Sequence, residues 1–130
     1  MNHLENNAYF WQKIDTLLFS LTYEKSRDPK GVHPTYSNLV YPLEYGYLVD
    51  VDEGNEYVHI GVFKGNGSNR QVNAVVICAD ILQKELDVKL LIGCTDDDER
   101  AVLEFLNQTE FQKTILVRRG SDLPDWASLD

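Results

Sequence analysis

Residues 45–64 read YGYLVDVDEGNEYVHIGVFK, and this run decides the fold class. Two segments rich in valine, tyrosine and other β-formers, 45–51 and 56–64, flank the break at Asp52 to Asn55. Acidic, glycine and asparagine residues in such a break are turn formers, so the run predicts two strands joined by a turn. Outward from this pair the same signal recurs. VNAVVICA (72–79) is a β-branched apolar run and reads as a buried strand, DVKLLIG (87–93) as another and KTILVRR (113–119) as a last one. On the N-terminal side TLLFSLTYE (16–24) predicts a strand, ENNAYFWQKI before it a short helix, and KSRDPKGVHP after it a loop set by Pro29, Gly31 and Pro34.

The period changes only once in the C-terminal half. TDDDERAVLEFLNQTEF (95–111) puts Val102, Phe105 and Leu106 on one helical face. Thr95 with Asp98 three residues on has the form of a capping box, and the aspartates at 96–98 suit the positive end of a helix dipole. The predicted fold is therefore mainly β with one C-terminal helix (α+β): about six short strands in a small closed or partly open β-barrel, with the helix packed on it. One domain over residues 1–130 is expected, without internal repeat or linker.

Composition narrows the function classes. The chain carries 21 acidic against 12 basic residues, a net charge of -9, which disfavours binding to nucleic-acid phosphates and is compatible with divalent cations or with solubility alone. Cys78 and Cys94 have no metal-ligand spacing and read as buried free thiols of a reducing compartment. No run approaches the ~20 apolar residues of a membrane span, and MNHLENNAYFW has no signal-peptide pattern. A cytoplasmic protein without membrane or nucleic-acid partners is expected; a homo-oligomer is left open. GNGSN (65–69) is a turn and not a Walker loop, since no Gly-Lys-Ser/Thr follows.

The stretch HPTYSNLVYPLEYGYL (33–48) resembles the region of soluble family I inorganic pyrophosphatases that runs into their Y-P-x-x-Y-G-Y-[IL] motif, here Tyr41-Pro42-Leu43-Glu44-Tyr45-Gly46-Tyr47-Leu48. EYVHIGV follows as the family's acid-led strand does, and LDVKLLIG resembles its E-D-x-K strand. The resemblance spans roughly residues 17–111. It implies an OB-type β-barrel with a flanking helix, and Mg²⁺-dependent hydrolysis of pyrophosphate or a related phosphoanhydride. That chemistry needs carboxylates to hold metal and cations or hydroxyls to hold phosphate oxygens.

Carried onto this chain, the resemblance implies Tyr45, Lys89 and Asp87 as catalytic residues. Tyr45 and Lys89 would contact phosphate; His33 stands where many family members carry a phosphate-binding arginine, with Arg27 or Lys30 of the neighbouring loop as its replacement. Metal would fall to Asp87, Glu56 and one or more of Asp50, Asp52 and Glu53. Each has a plain alternative: Tyr45 as a core ring, Asp87 and Lys89 as a same-face ion pair two residues apart on a strand, the acids as a solvated turn, His33 as loop packing. Tyr41 and Tyr47 read as packing residues. The family's D-G-D-x-x-D loop is replaced by DVDEGNEYV, and Thr109 and Glu110 stand where the family offers a Tyr-Lys pair. A catalytically inactive relative, serving as a binding or assembly module, is the second reading.

Overall fold

A computed structural model describes residues 6–32, 39–52 and 55–120; side chains are described for all of these except 51, 52 and 55–59. The elements run α1 (Ala8–Ser20), β1 (Thr22–Arg27), β2 (Glu44–Asp52), β3 (Asn55–Lys64), β4 (Val72–Asp80), β5 (Glu85–Ile92), α2 (Asp96–Leu106) and β6 (Gln112–Arg118). The fold is mainly β with two helices.

The strand expected over 16–24 is the largest departure. Residues 16–20 continue α1, and only from Thr22 does the chain turn extended. The cause is local: the Asn7 side chain accepts from the amides of Tyr9 and Phe10, starting a helix that the sequence pattern assigns to a shorter segment. Trp11, Ile14 and Leu18 then recur at helical spacing and pack on the sheet, while Phe19 is left in water. Asp15 fixes the helix from its side, as Arg119 donates to it through both terminal nitrogens at 3.0 and 2.6 Å.

The strands form one mixed sheet in the order β1-β2-β3-β5-β4-β6. β2 and β3 are the antiparallel pair expected from 45–64, with a register shift after Leu48. β5 inserts between β3, to which it is parallel, and β4, to which it is antiparallel. β1 and β6 are the two edges; among the described residues they do not pair, so the sheet is open and not closed into a barrel.

Strand alternation sends two apolar sets to opposite faces. Tyr45, Phe63, Leu91, Val76 and Cys78 meet Val102 and Leu106 of α2 on one face. Leu48, Val62, Leu90, Ile92 and Val75 meet Trp11 and Ile14 of α1 on the other. The capping box at Thr95 is present, and Asp98 also accepts from the backbone and side chain of Asn66, tying α2 to the turn after β3. At the other end Asn107 bonds Leu103 and both backbone groups of Thr114. α2 is thus held at both ends, and its C-terminal turn overhangs the sheet.

Candidate functional site

Lys89 sits on β5, next to the middle of the sheet, with its side chain only 17% exposed. A buried ammonium needs hydrogen-bonded partners. It has two: Nζ donates to the Tyr45 hydroxyl at 2.9 Å and to Asp87 Oδ2 at 2.8 Å. Asp87 reaches it because residues two apart on a strand share a face, and its carboxylate remains 46% exposed. Tyr45 comes from β2, two strands away. Its ring leans across Gly61 of β3, the register partner of Lys89. A Cβ at Gly61 would collide with the Tyr45 hydroxyl and lie 3.3 Å from Lys89 Cγ. The missing side chain is what lets the phenol span the intervening strand.

The electrostatics follow from this geometry. Burial works against the Lys89 ammonium, but the Tyr45 oxygen and the Asp87 carboxylate outweigh it and hold the amine above its ordinary value. Burial pushes the Tyr45 phenol up to about 12, against the pull of Lys89. Both groups are therefore protonated at neutral pH. An ammonium has three donors, and among the described residues two are engaged. Tyr45 accepts from Lys89, and among the described residues its own proton has no acceptor, so it can point elsewhere.

Both open onto a cleft of about 260 Å³. Its walls are Leu39, Tyr41, Tyr45, Phe63, Phe105 and Leu106, and its rim holds Asp80, Gln83, Thr109, Phe111 and Gln112. Asp80 is partly committed, since Oδ1 accepts from the amides of Leu82 and Gln83 in the β4–β5 turn. Tyr41 and Tyr47 pack around Tyr45, Tyr41 in a near-parallel stack with centroids 5.2 Å apart and Tyr47 edge-on at 5.3 Å.

The other sequence-derived candidates divide. Arg27 is the register partner of Tyr45 on β1, so it stands on the Lys89 face; its guanidinium donates to Ser26 O at 2.9 Å and pairs with no carboxylate among the described residues. Asp50 lies five residues from Tyr45 along β2, an odd spacing that sends its exposed carboxylate off the opposite face, away from Lys89. For Asp52 and Glu56 only the backbone is described, pairing with Asn55 and Val51 respectively at the far end of the β2–β3 hairpin. Glu53 and His33 lie outside the described residues. Thr109 lines the cleft.

Gly61 and the rings of Phe63 and Phe105 were not singled out as site residues from the sequence. Gly61 carried a signal, a glycine in the interior of a strand, which marks a close approach. The two phenylalanines carried none, because core and cleft-wall rings have the same periodicity.

Among the described residues no three His, Cys, Asp or Glu side chains come together as a metal site, and no helix is long and apolar enough to cross a membrane. Comparison of the chain with family models, with curated proteins and with solved structures gave no match.

Proposed function

We propose that the cleft at Lys89 binds a phosphate group and that the protein is a divergent pyrophosphatase-like hydrolase of phosphoanhydrides. The observation that carries this reading is the Lys89 ammonium, buried yet, among the described residues, with a donor to spare, beside a Tyr45 hydroxyl whose proton has no acceptor among them. Together they can donate two hydrogen bonds to one phosphoryl oxygen set, one of them charge-assisted. The exposed Asp87 oxygen not bonded to Lys89 can orient an attacking water. Water then adds to one phosphorus and gives up a proton to Asp87, the bridging P–O bond breaks, and the departing phosphate keeps the electron pair and takes up that proton.

The pyrophosphatase reading implies Mg²⁺. The described side chains do not by themselves fit that ion: Asp87 is the one carboxylate bonded to Lys89, and Asp50 leaves the other face. Asp80 also lines the cleft, and further ligands would come from Asp52, Glu53 and Glu56. The reading also implies an OB-type barrel. What supports it is the order β1-β2-β3-β5-β4 with β5 parallel to β3, a Greek-key arrangement that an opened OB-type barrel would have, with β6 added beside β4.

A second reading, a binding module without catalysis, is favoured by the charge already neutralised at Lys89. The two are separated by phosphate release from pyrophosphate with Mg²⁺ and then Mn²⁺, in wild type, Asp87→Asn and Lys89→Ala. Metal-dependent turnover that collapses in both variants supports the hydrolase. Turnover absent from folded wild type refutes it and leaves the binding module.

A further inference from the structure

The wall around Lys89 is aromatic where a site for inorganic pyrophosphate alone should be charged. Tyr41 stacks on Tyr45 with ring planes 12° apart, and Phe105 closes on Tyr41 with centroids 4.9 Å apart. Phe63 meets Tyr45 at 4.8 Å. All four rings pack in the core, and all four also face the cleft. The charges at the cleft cancel: Lys89 stands against Asp87 and Asp80, so a small polyanion meets little net positive field. The space is about 260 Å³, far more than a packing defect that one or two waters would fill. Mostly apolar walls with a few placed polar groups are the general design of sites for organic molecules.

We infer that the cleft takes an organic phosphoanhydride whose far end is a flat ring, with the phosphate at Lys89 and Tyr45 and the ring against Tyr41 and Phe105. This rests on Lys89 as the phosphate anchor, and it names the substrate class of that same site. Apolar wall area gives such a ligand what the balanced charges withhold from pyrophosphate. Stacking of a nucleobase-sized ring on an aromatic side chain raises affinity by about tenfold or more.

The test is calorimetric titration of the full chain with three probes: adenosine 5′-diphosphate, inorganic pyrophosphate and adenosine. The diphosphate should bind about tenfold or more tightly than pyrophosphate, and adenosine should bind weakly. Phe105→Leu removes the ring and keeps a branched apolar side chain; it should bring the nucleotide down to the pyrophosphate level and leave pyrophosphate unchanged. Lys89→Met should abolish binding of both anions. If Phe105→Leu does not fold, Thr109→Trp, which fills the cleft from its rim, should block the nucleotide selectively. Equal affinity for nucleotide and pyrophosphate, or equal loss of both in Phe105→Leu, overturns the inference. Failure of this inference and failure of the hydrolase reading look different. Pyrophosphate turnover without preference for the nucleotide refutes only the ring; nucleotide binding without turnover of either anhydride refutes only the catalysis; no binding of any probe refutes both.

Discussion

Gly61→Ala should break the site from underneath. The new methyl would occupy the place of the Tyr45 hydroxyl, and would stand 3.1 Å from the Tyr45 ring carbon that bears it and 3.3 Å from Lys89 Cγ. The phenol has to move, and with it goes the 2.9 Å hydrogen bond from Lys89. A hydrogen bond to a charged group contributes about 1.5–3 kcal/mol, and one extra carbon in a packed region costs about 1–3 kcal/mol. Replacing glycine in a strand returns about 0.5–1 kcal/mol through the unfolded chain. The net loss should be about 2–5 kcal/mol, read from urea unfolding followed by circular dichroism. The decisive arm is the same substitution in a Tyr45→Phe background. There the colliding oxygen is gone, only the two milder contacts remain, and the cost of Gly61→Ala should fall to about half or less. A Gly61→Ala variant more stable than wild type, or one whose cost is the same with and without the Tyr45 hydroxyl, would show that the phenol does not span β3 to reach Lys89.

Three further outcomes follow from the same geometry. Lys89→Met should fold with a stability within about 1 kcal/mol of wild type, because an apolar chain of similar length replaces a buried ion and Asp87 is exposed enough to be rewetted; a loss of several kcal/mol in urea titration would mean that the lysine is structural. Asp15 is held below its ordinary value of 3.8 by the hydrogen bonds from Arg119, against the effect of burial. Its contribution is therefore fully present above that value and lost as pH falls through the lower folded one, so the stability gap between wild type and Asp15→Asn, about 1 kcal/mol at pH 7, should narrow on acidification; a gap that does not narrow would refute the pairing. Burial, with Asp98 and Glu99 adding to it, pushes the Cys94 thiol up to about 12, and burial raises Cys78 as well. Neither should react with iodoacetamide at pH 8 until urea is added, as followed by mass spectrometry.

How much of this was legible in the sequence differs by element. The pair of strands in 45–64, the runs at 72–79, 87–93 and 113–119 and the helix after Thr95 could all be read, because each has one dominant period and a turn or cap at its ends. TLLFSLTYE misled because its leucines and phenylalanine fit a strand as well as a helix, and the deciding residue, the Asn7 cap, lies nine positions upstream of Thr16 in the sequence. Sheet order was not legible either: nothing local to β5 says that it lies beside β3 and parallel to it. That one fact brings Lys89 within reach of Tyr45. The spacing of Asp87 and Lys89 could be read as a shared face, while the neighbour 44 residues away came only through the motif resemblance and the fold.

Folding alone does not call for a lysine at residue 89. Leu90 and Leu91 next to it are buried against the two faces of the sheet, and Val76, its partner on β4, is buried too. An aliphatic side chain here would need no partners and would carry no desolvation cost, whereas the ammonium must recruit both a tyrosine and an aspartate to be tolerated. Even then one donor is left over among the described residues, and the strand between requires a glycine. Three positions on three strands, Tyr45, Gly61 and Lys89, are thus committed to a charge that the core would be better packed without. A ligand that accepts from Lys89 and Tyr45 resolves this, since its oxygens complete the coordination that the protein leaves open. Saturating phosphate-bearing ligand should accordingly raise the unfolding midpoint of wild type and leave Lys89→Met unmoved. A shift of equal size in both proteins would mean that the anion binds elsewhere and that the open donor has some other purpose.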